Sequence, residues 1–350
     1  MNKNLPPEDL QHILDHTREL WEEMRGQRIF VTGGTGFFGC WLLESFAYAN
    51  DQFGLGAKLV VLTRDARAFN RKAPHLAGHK AVTLHEGDVR DFTFPSGNFS
   101  HVIHGAATSS SPIPPLEMLE TITAGTRHVL DFASACRARK FLLISSGAIY
   151  GKRPPDMIHI PESYLGELDP DDPNFTYGEG KRISEQLCVS YQGKFAFEAK
   201  IARCFAFVGP HMPLDAHFAI GNFIRDALIG GPIRVKGDGA PMRSYLYAAD
   251  LAIWLWKILF RGVAGRTYNV GSGEAISIAE LACLVATTLA SGATVEIAEK
   301  TPINRPPARY VPDVKRAAIE LDLRPLISLN EALKRTALWH SRPHFPEFLV

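Results

Sequence analysis

The chain has 350 residues, 46% of them hydrophobic, enough for about two domains, or one large domain with an appendage, and for a substantial buried core. Lys and Arg number 38 against 37 Asp and Glu. That balance excludes the basic surface of a nucleic-acid binder and the acidic tail of a solvating segment, so an anionic ligand must be held by a few placed groups.

The five cysteines, Cys40, Cys136, Cys188, Cys204 and Cys283, are odd in number and widely spaced. This argues against a disulfide framework or a structural zinc site and predicts buried, reduced thiols in a cytoplasmic protein. His101, His104, His211 and His217 lack metal-ligand spacing, and no metal is expected. The first 26 residues are polar and lack the apolar run of a signal peptide. The most apolar later segment, Leu251 to Phe260, is interrupted by Lys257 and falls short of the ~20 residues that span a bilayer, so no membrane partner is expected.

In chain order, Leu10, Ile13, Leu14 and Trp21 recur near a 3.6 period and predict a helix over 7–25, with Pro6 and Pro7 in its first turn. An apolar run, 28–34, enters a glycine cluster, and a helical stretch covers 38–49. Further apolar runs lie at 58–64, 101–107 and 140–146, with a helix over Leu116–Cys136. Strands alternating with helices predict an α/β fold built on a parallel sheet covered on both faces, and unbroken apolar strands agree with burial on both sides. After Tyr177 the alternation loosens and Pro and Gly become frequent.

Gly33-Gly34-Thr35-Gly36-Phe37-Phe38-Gly39 sits between the first strand and the helix. Glycines there let backbone turn tightly against a pyrophosphate, which then meets the free N–H groups of a helix N-terminus. The second strand ends Leu62-Thr63-Arg64-Asp65. Thr63 stands where an acid would bind the ribose of NAD. Arg64, with Arg67 close behind, can pair with the 2′-phosphate of NADP, while Asp65 leaves NAD open; NADP is favoured. Asp88, in Gly87–Asp91, can accept from the adenine amino group.

Tyr177-Gly178-Glu179-Gly180-Lys181 places a phenol and an ammonium four apart. On a helix over 176–192 they share a face. A neighbouring cation favours the phenolate, so Tyr177 can move a proton on or off a sugar hydroxyl. Ser146, at the end of the apolar run 140–146, can hydrogen-bond the reacting oxygen.

Taken together, GGTGFFG (33–39), GDVRD (87–91), HVIHGAA (101–107), ISSGAIYG (144–151), YGEGK (177–181), GDGAPMRSYLYAADLA (237–252), YNVGSG (268–273) and Arg309 with Asp313 resemble the extended short-chain dehydrogenase/reductase family. That family contains the nucleotide-sugar epimerases, dehydratases, decarboxylases and ketoreductases. The resemblance spans about residues 28–325. It implies a Rossmann-type doubly wound parallel sheet with a smaller C-terminal substrate-binding lobe. The divisions expected are an N-terminal helical extension (1–26), an NAD(P)-binding domain (27–190, with 195–208 and 266–270 returning to the sheet) and a mainly substrate-binding lobe (209–350). It implies Ser146, Tyr177 and Lys181 as the catalytic set, Lys181 also holding the nicotinamide ribose. Gly33, Thr35, Gly36, Phe37, Phe38, Gly39, Arg64, Asp88, Val89, Ala106 and Ala107, together with Tyr177 and Lys181, would contact NADP or NAD. Ser109, Asn222, Arg243 and Arg309 would contact a nucleotide-diphosphate sugar, the two arginines at its diphosphate. A homodimer through a helix bundle is implied as well.

Departures bear on the reaction. The 4,6-dehydratases of the family carry an Asp-Glu pair where this chain has Gly147 and Ala148, and the decarboxylases a glutamate at Ala148. Ile122 replaces the Asn of NVxGT, and Ala206 the Asn of RxFNxxGP. The expected activity is therefore redox chemistry at C4 of a nucleotide-activated hexose, as a 4-keto-6-deoxysugar reductase or a 4-epimerase. A nucleotide-glucose 4,6-dehydratase, with Glu179 as substitute acid, is the alternative. A non-catalytic NAD(P)-binding regulator is the alternative of another class.

Overall fold

The structure is a computed structural model that describes residues 4–106, 113–289, 292–299 and 307–341. Seven parallel strands form one sheet: β1 (Arg28–Thr32), β2 (Lys58–Thr63), β3 (Val82–Glu86), β4 (His101–His104), β5 (Lys140–Ser146), β6 (Glu198–Cys204) and β7 (Thr267–Val270). Their spatial order is β7-β6-β5-β4-β1-β2-β3, every neighbouring pair parallel. β4 is buried at all four residues, as a strand covered on both faces must be. The order reverses between β1 and β4, and the crevice beyond their carboxyl ends is where ligands of such sheets bind.

The main helices are α1 (Pro7–Asp15), α2 (Phe37–Phe53), α3 (Pro115–Ala135), α4 (Thr176–Lys194), α5 (Ala219–Leu228), α6 (Ala248–Arg261), α7 (Ile278–Leu289) and α8 (Leu329–Ser341). Side chains of α2 and α6 fill one apolar core with alternate sheet residues such as Ile29, Val31 and Leu142. Side chains of α3 and α4 fill another, with Phe30, Val102 and Phe141 pointing the opposite way. The period-2 alternation of strand side chains thus feeds two cores from one sheet. Among the described residues, no helix is long and apolar enough to cross a membrane.

Three expectations need correction. The single helix over 7–25 is two elements, α1 and a 3₁₀ turn over Arg18–Met24. The Thr17 hydroxyl donates to the Ile13 carbonyl at 2.6 Å and accepts from the Trp21 indole at 3.0 Å. The bend turns Leu20, Trp21 and Met24 into the core, with Trp21 edge-on to Trp256 of α6 at 5.0 Å. Within 195–208 only β6 joins the sheet. Phe207–Val208 instead pairs with Leu246–Tyr247, because the chain leaves the sheet at Phe205, whose ring packs against Tyr310. Finally, four cysteines are buried as reduced thiols, but Cys283 is exposed on α7, facing away from the core that holds Leu281, Ala282 and Val285.

α1 is tied to the end of the chain by buried charge. Asp9 accepts from the Tyr247 hydroxyl at 2.5 Å and the Arg335 guanidinium at 2.6 Å. Asp250 accepts from the N–H groups of Leu326 and Ile327 and lies 3.2 Å from His12 Nε2.

Candidate active site

The glycine turn follows β1 directly. Gly33 has φ +74°, and a Cβ there would lie 2.5 Å from the Gly105 carbonyl beyond β4. A Cβ at Gly39 would lie 2.3 Å from the Gly34 backbone. Gly36 starts α2 with no side-chain cap, so the first N–H groups of α2, around Phe37 and Phe38, have no partner within the helix. Only glycine permits this approach of β1, β4 and α2, and the uncapped helix start can take a phosphate. Thr35 offers its carbonyl to Lys72 Nζ at 2.7 Å, which brings to the turn a cation that sequence reasoning missed. The Gly33→Ala protein should lose dinucleotide binding, and left-handed strain alone should cost about 1–2 kcal/mol. A wild-type NAD(P) titration curve for that variant would refute this account of the turn.

Arg64 is exposed at the end of β2 and forms no ion pair among the described residues. Asp65 caps the helix over Ala66–Lys72 instead, accepting from Ala68 N at 2.8 Å. Asp88 is held by Arg90 at 2.8 Å, and that bond keeps its carboxyl below the usual range. Val89 is buried against Gly125 of α3. Ala106 donates its N–H to the Thr32 hydroxyl at 3.1 Å. That hydroxyl bonds His104 Nδ1 at 2.7 Å, and His104 Nε2 reaches Thr126 at 3.0 Å. Burial pulls His104 down to about 3, so it stays neutral and works as a structural link between β1, β4 and α3. Ala107 and Ser109 lie outside the described residues.

Ser146 ends β5, while Tyr177 and Lys181 lie on one face of α4, with Lys181 Nζ 5.9 Å from the Tyr177 ring centre. Lys181 is 2% exposed and donates to the Ile144 carbonyl at 2.9 Å. Burial lowers its pKa to about 8, against the opposing pull of Cys204 and Glu185. Burial pushes the Tyr177 phenol up to about 12, and a hydrogen bond with Ser146 pulls it back. Tyr177 therefore needs a further positive charge beside it before it ionises near neutral pH.

Beneath these groups lies a network that the sequence did not disclose. Glu185, one turn beyond Lys181, accepts from Ser145 Oγ of β5 at 2.6 Å and from Arg203 Nη2 of β6 at 2.6 Å. Arg203 also donates to the Tyr150 hydroxyl at 2.9 Å, which donates to Asn269 of β7 at 2.8 Å. β5, β6, β7 and α4 are thereby fixed in register around the site.

A pocket of about 230 Å³ opens between Gly147, Ala148, Gly151, Tyr177, Gly178 and Tyr310. Among the described residues no carboxylate lines it; Glu179, two residues past Tyr177, is not among its walls. Beyond it, Arg309 and Tyr310 pair with Met242 and Arg243. Arg153 joins them, donating Nε to the Arg309 carbonyl. Burial, then the charges of Arg309 and Arg243, lower the Arg153 pKa, as expected where guanidiniums converge. None of the three forms an ion pair among the described residues. Asn222 is placed differently. Its amide donates to the Ala216 and Phe218 carbonyls, both at 3.0 Å, and its oxygen accepts from Arg225. Its side chain is thus engaged at the start of α5, and it is absent from the pocket wall.

The sequence profile of NAD dependent epimerases and dehydratases matches residues 29–271, from β1 through the end of β7. The chain belongs to the NAD dependent epimerase/dehydratase family. It is 30% identical over 313 residues to UDP-glucuronic acid decarboxylase 1 of Xenopus tropicalis, covering 89% of this chain and 71% of that one. Two solved structures share the fold. UDP-glucose 4-epimerase of Thermotoga maritima has a TM-score of 0.73 at 21% identity, covering 90% of this chain and 98% of its own. The dTDP-glucose 4,6-dehydratase of Bacillus anthracis, solved in complex with NAD, has a TM-score of 0.73 at 20% identity, covering 91% and 97%.

Proposed function

We propose that this family member carries out NAD(P)-dependent redox chemistry at C4 of a nucleotide-activated hexose, as a 4-keto-6-deoxysugar reductase or a 4-epimerase. The observation that carries the reading is a pocket walled by Tyr177 and Tyr310, with Gly147 and Ala148, and so no acid, at the two positions that follow Ser146. Elimination of water needs a positioned acid and base, and a phenol beside an ammonium supplies proton transfer at one oxygen only.

In this reading Ser146 holds the sugar O4 and Tyr177 takes or returns its proton. Lys181 supports the ionised phenol and the nicotinamide ribose. Arg243, Arg309 and Arg153 hold the diphosphate, whose charge planar guanidiniums match. The glycine turn fits a dinucleotide, since a Cβ at Gly33 or Gly39 would fill the cradle. The nicotinamide, when bound, supplies hydride exchange at C4.

Residues 27–190 would then bind the dinucleotide, 209–350 would mainly bind the sugar nucleotide, and the extension 1–26 would brace α6 and α8. Exposed Ile183 and Val189 on α4 suit a second copy of the chain. The names of the relatives favour a rival reading, decarboxylation of UDP-glucuronic acid. Incubation with a panel of nucleotide-sugars, with NAD and NADP in parallel, separates the readings. A product changed only at C4 supports the proposal; carbon dioxide release or a 4-keto-6-deoxy product from nucleotide-glucose overturns it. Purified protein holding one NAD per chain would assign the epimerase, an empty dinucleotide site the reductase.

NADP over NAD rests on Arg64 and Lys72 beside the turn. Arg64→Ala should weaken NADP binding about tenfold or more, the scale of a lost charge-assisted hydrogen bond, while NAD binding stays within twofold of wild type. Equal losses for both dinucleotides would overturn that preference.

A further inference from the structure

Lys257 interrupts a helix that is otherwise buried. α6 is buried at every residue from Ala248 to Trp256 and again from Ile258 to Phe260. Lys257 is half-buried, and among the described residues its ammonium meets no carboxylate and no hydrogen-bond acceptor. A charge in such a setting is costly unless a partner comes to it.

The lysine opens onto a cavity of about 450 Å³, larger than the pocket at Tyr177 and sharing no residue with it. Ile253, Trp254 and Leu323, each 2% exposed or less, form an apolar floor, and Leu326, 49% exposed, forms an apolar rim. His16 and Arg324 complete the basic side. His16 and the segment 322–326 both lie outside residues 29–271, the stretch that matches the family profile. The walls are held in place. Asp250 Oδ2 of α6 accepts from the Leu326 and Ile327 N–H groups at 2.8 and 3.0 Å. Asp322 ends the helix over Lys315–Leu321 in a left-handed conformation, φ +49°, and Leu323 beyond it is buried. His16 Nδ1 lies 2.8 Å from the His12 carbonyl and must carry a proton there, which leaves Nε2 as the nitrogen able to meet a ligand.

Charge then selects the occupant. The cavity has one acid, Asp322, which is 85% exposed and 3.7 Å from Arg324. So open a pair holds weakly, and Arg324 is free to turn to a stronger anion. We propose that this cavity is a second binding site, for a small organic phosphate whose apolar body lies on Ile253, Trp254, Leu323 and Leu326 and whose phosphate meets Lys257, Arg324 and His16. A phosphate ester carries a charge of about −1.5 to −2 near neutral pH and three acceptor oxygens, enough for two cations and a ring N–H. The apolar floor favours an ester over the free ion, and walls fixed in advance are what a small-molecule site needs. The site is independent of the chemistry assigned to Tyr177.

The test is a calorimetric titration of phenyl phosphate into the full-length protein saturated with NAD, with inorganic phosphate and phenol as separate arms. The expected result is one site per chain with a Kd of about 1 mM or tighter, the range open to so small a ligand, and both fragments at least about tenfold weaker. Lys257→Glu should weaken phenyl phosphate about tenfold or more, the scale of a lost charge-assisted hydrogen bond. Arg324→Glu should do the same at a side chain that is 72% exposed, which keeps the test open if Lys257→Glu does not fold. Arg243→Met, beside the pocket at Tyr177, should leave the affinity within about twofold. Absence of saturable binding, wild-type affinity in both glutamate variants, or an equal loss in Arg243→Met would overturn the site. Inorganic phosphate or phenol binding as tightly as the ester would overturn the assigned ligand class. NAD affinity of each variant certifies its folding.

Discussion

Replacing Tyr177 by phenylalanine should lower kcat by about two to four orders of magnitude, the usual contribution of a positioned proton-transfer group. The ring would stay in place, half-buried beside Lys181 and Gly178, because phenylalanine keeps everything but the hydroxyl. Stability should change by about 1 kcal/mol or less, the net worth of one hydrogen bond. Dinucleotide binding should survive, since the glycine turn lies at a different strand end. Product formation followed on the nucleotide-sugar substrate, with NAD(P) affinity as control, checks this. A kcat within tenfold of wild type would remove Tyr177 from the chemistry.

Arg203→Met should be the most destabilising single change near the site, at about 3–5 kcal/mol, because it leaves Glu185 charged and unpaired. Glu185 is 8% exposed and Arg203 supplies three of its hydrogen bonds. Removing both charges together, in Arg203→Met/Glu185→Leu, should cost less than the single change, since no uncompensated ion then remains. Denaturant titration of the three proteins checks it. A double variant as unstable as the sum of two singles would show that packing, and not charge, dominates there.

Much of the scaffold is legible in the sequence because it rests on local patterns. β5 is read at its observed bounds, 140–146, since an apolar run ending in serines has no competing period. The glycine turn is legible because Gly33 and Gly39 answer a steric demand that only one residue type meets. Tyr177 and Lys181 are legible because four residues make one helical turn.

What escaped depends on pairs distant in sequence. Tyr310 reaches over Gly147 from a distant part of the chain, and nothing near either residue announces the other. Arg153 sits in a proline-flanked loop, where a lone arginine reads as surface until Arg309 and Arg243 are brought beside it. Glu185 and Arg203 look like exposed charges on a helix and a strand end until the β5–β6 pairing buries them. The break at Thr17 escaped because a helical period continues across it, and the demand to bury Trp21 against α6 wins over helix continuation. Asn222 bonds the Ala216 and Phe218 carbonyls at the start of α5, contacts that no sequence pattern announces.

The central claim is tested most directly by the fate of hydrogen at C4. The protein would be incubated with a 4-keto nucleotide-hexose and a reduced nicotinamide carrying deuterium at its hydride position, and the sugar recovered for mass spectrometry and NMR. Deuterium at C4 of the product, abolished in Tyr177→Phe, is the predicted result. Product without deuterium at C4, or with deuterium at another carbon, would contradict the account.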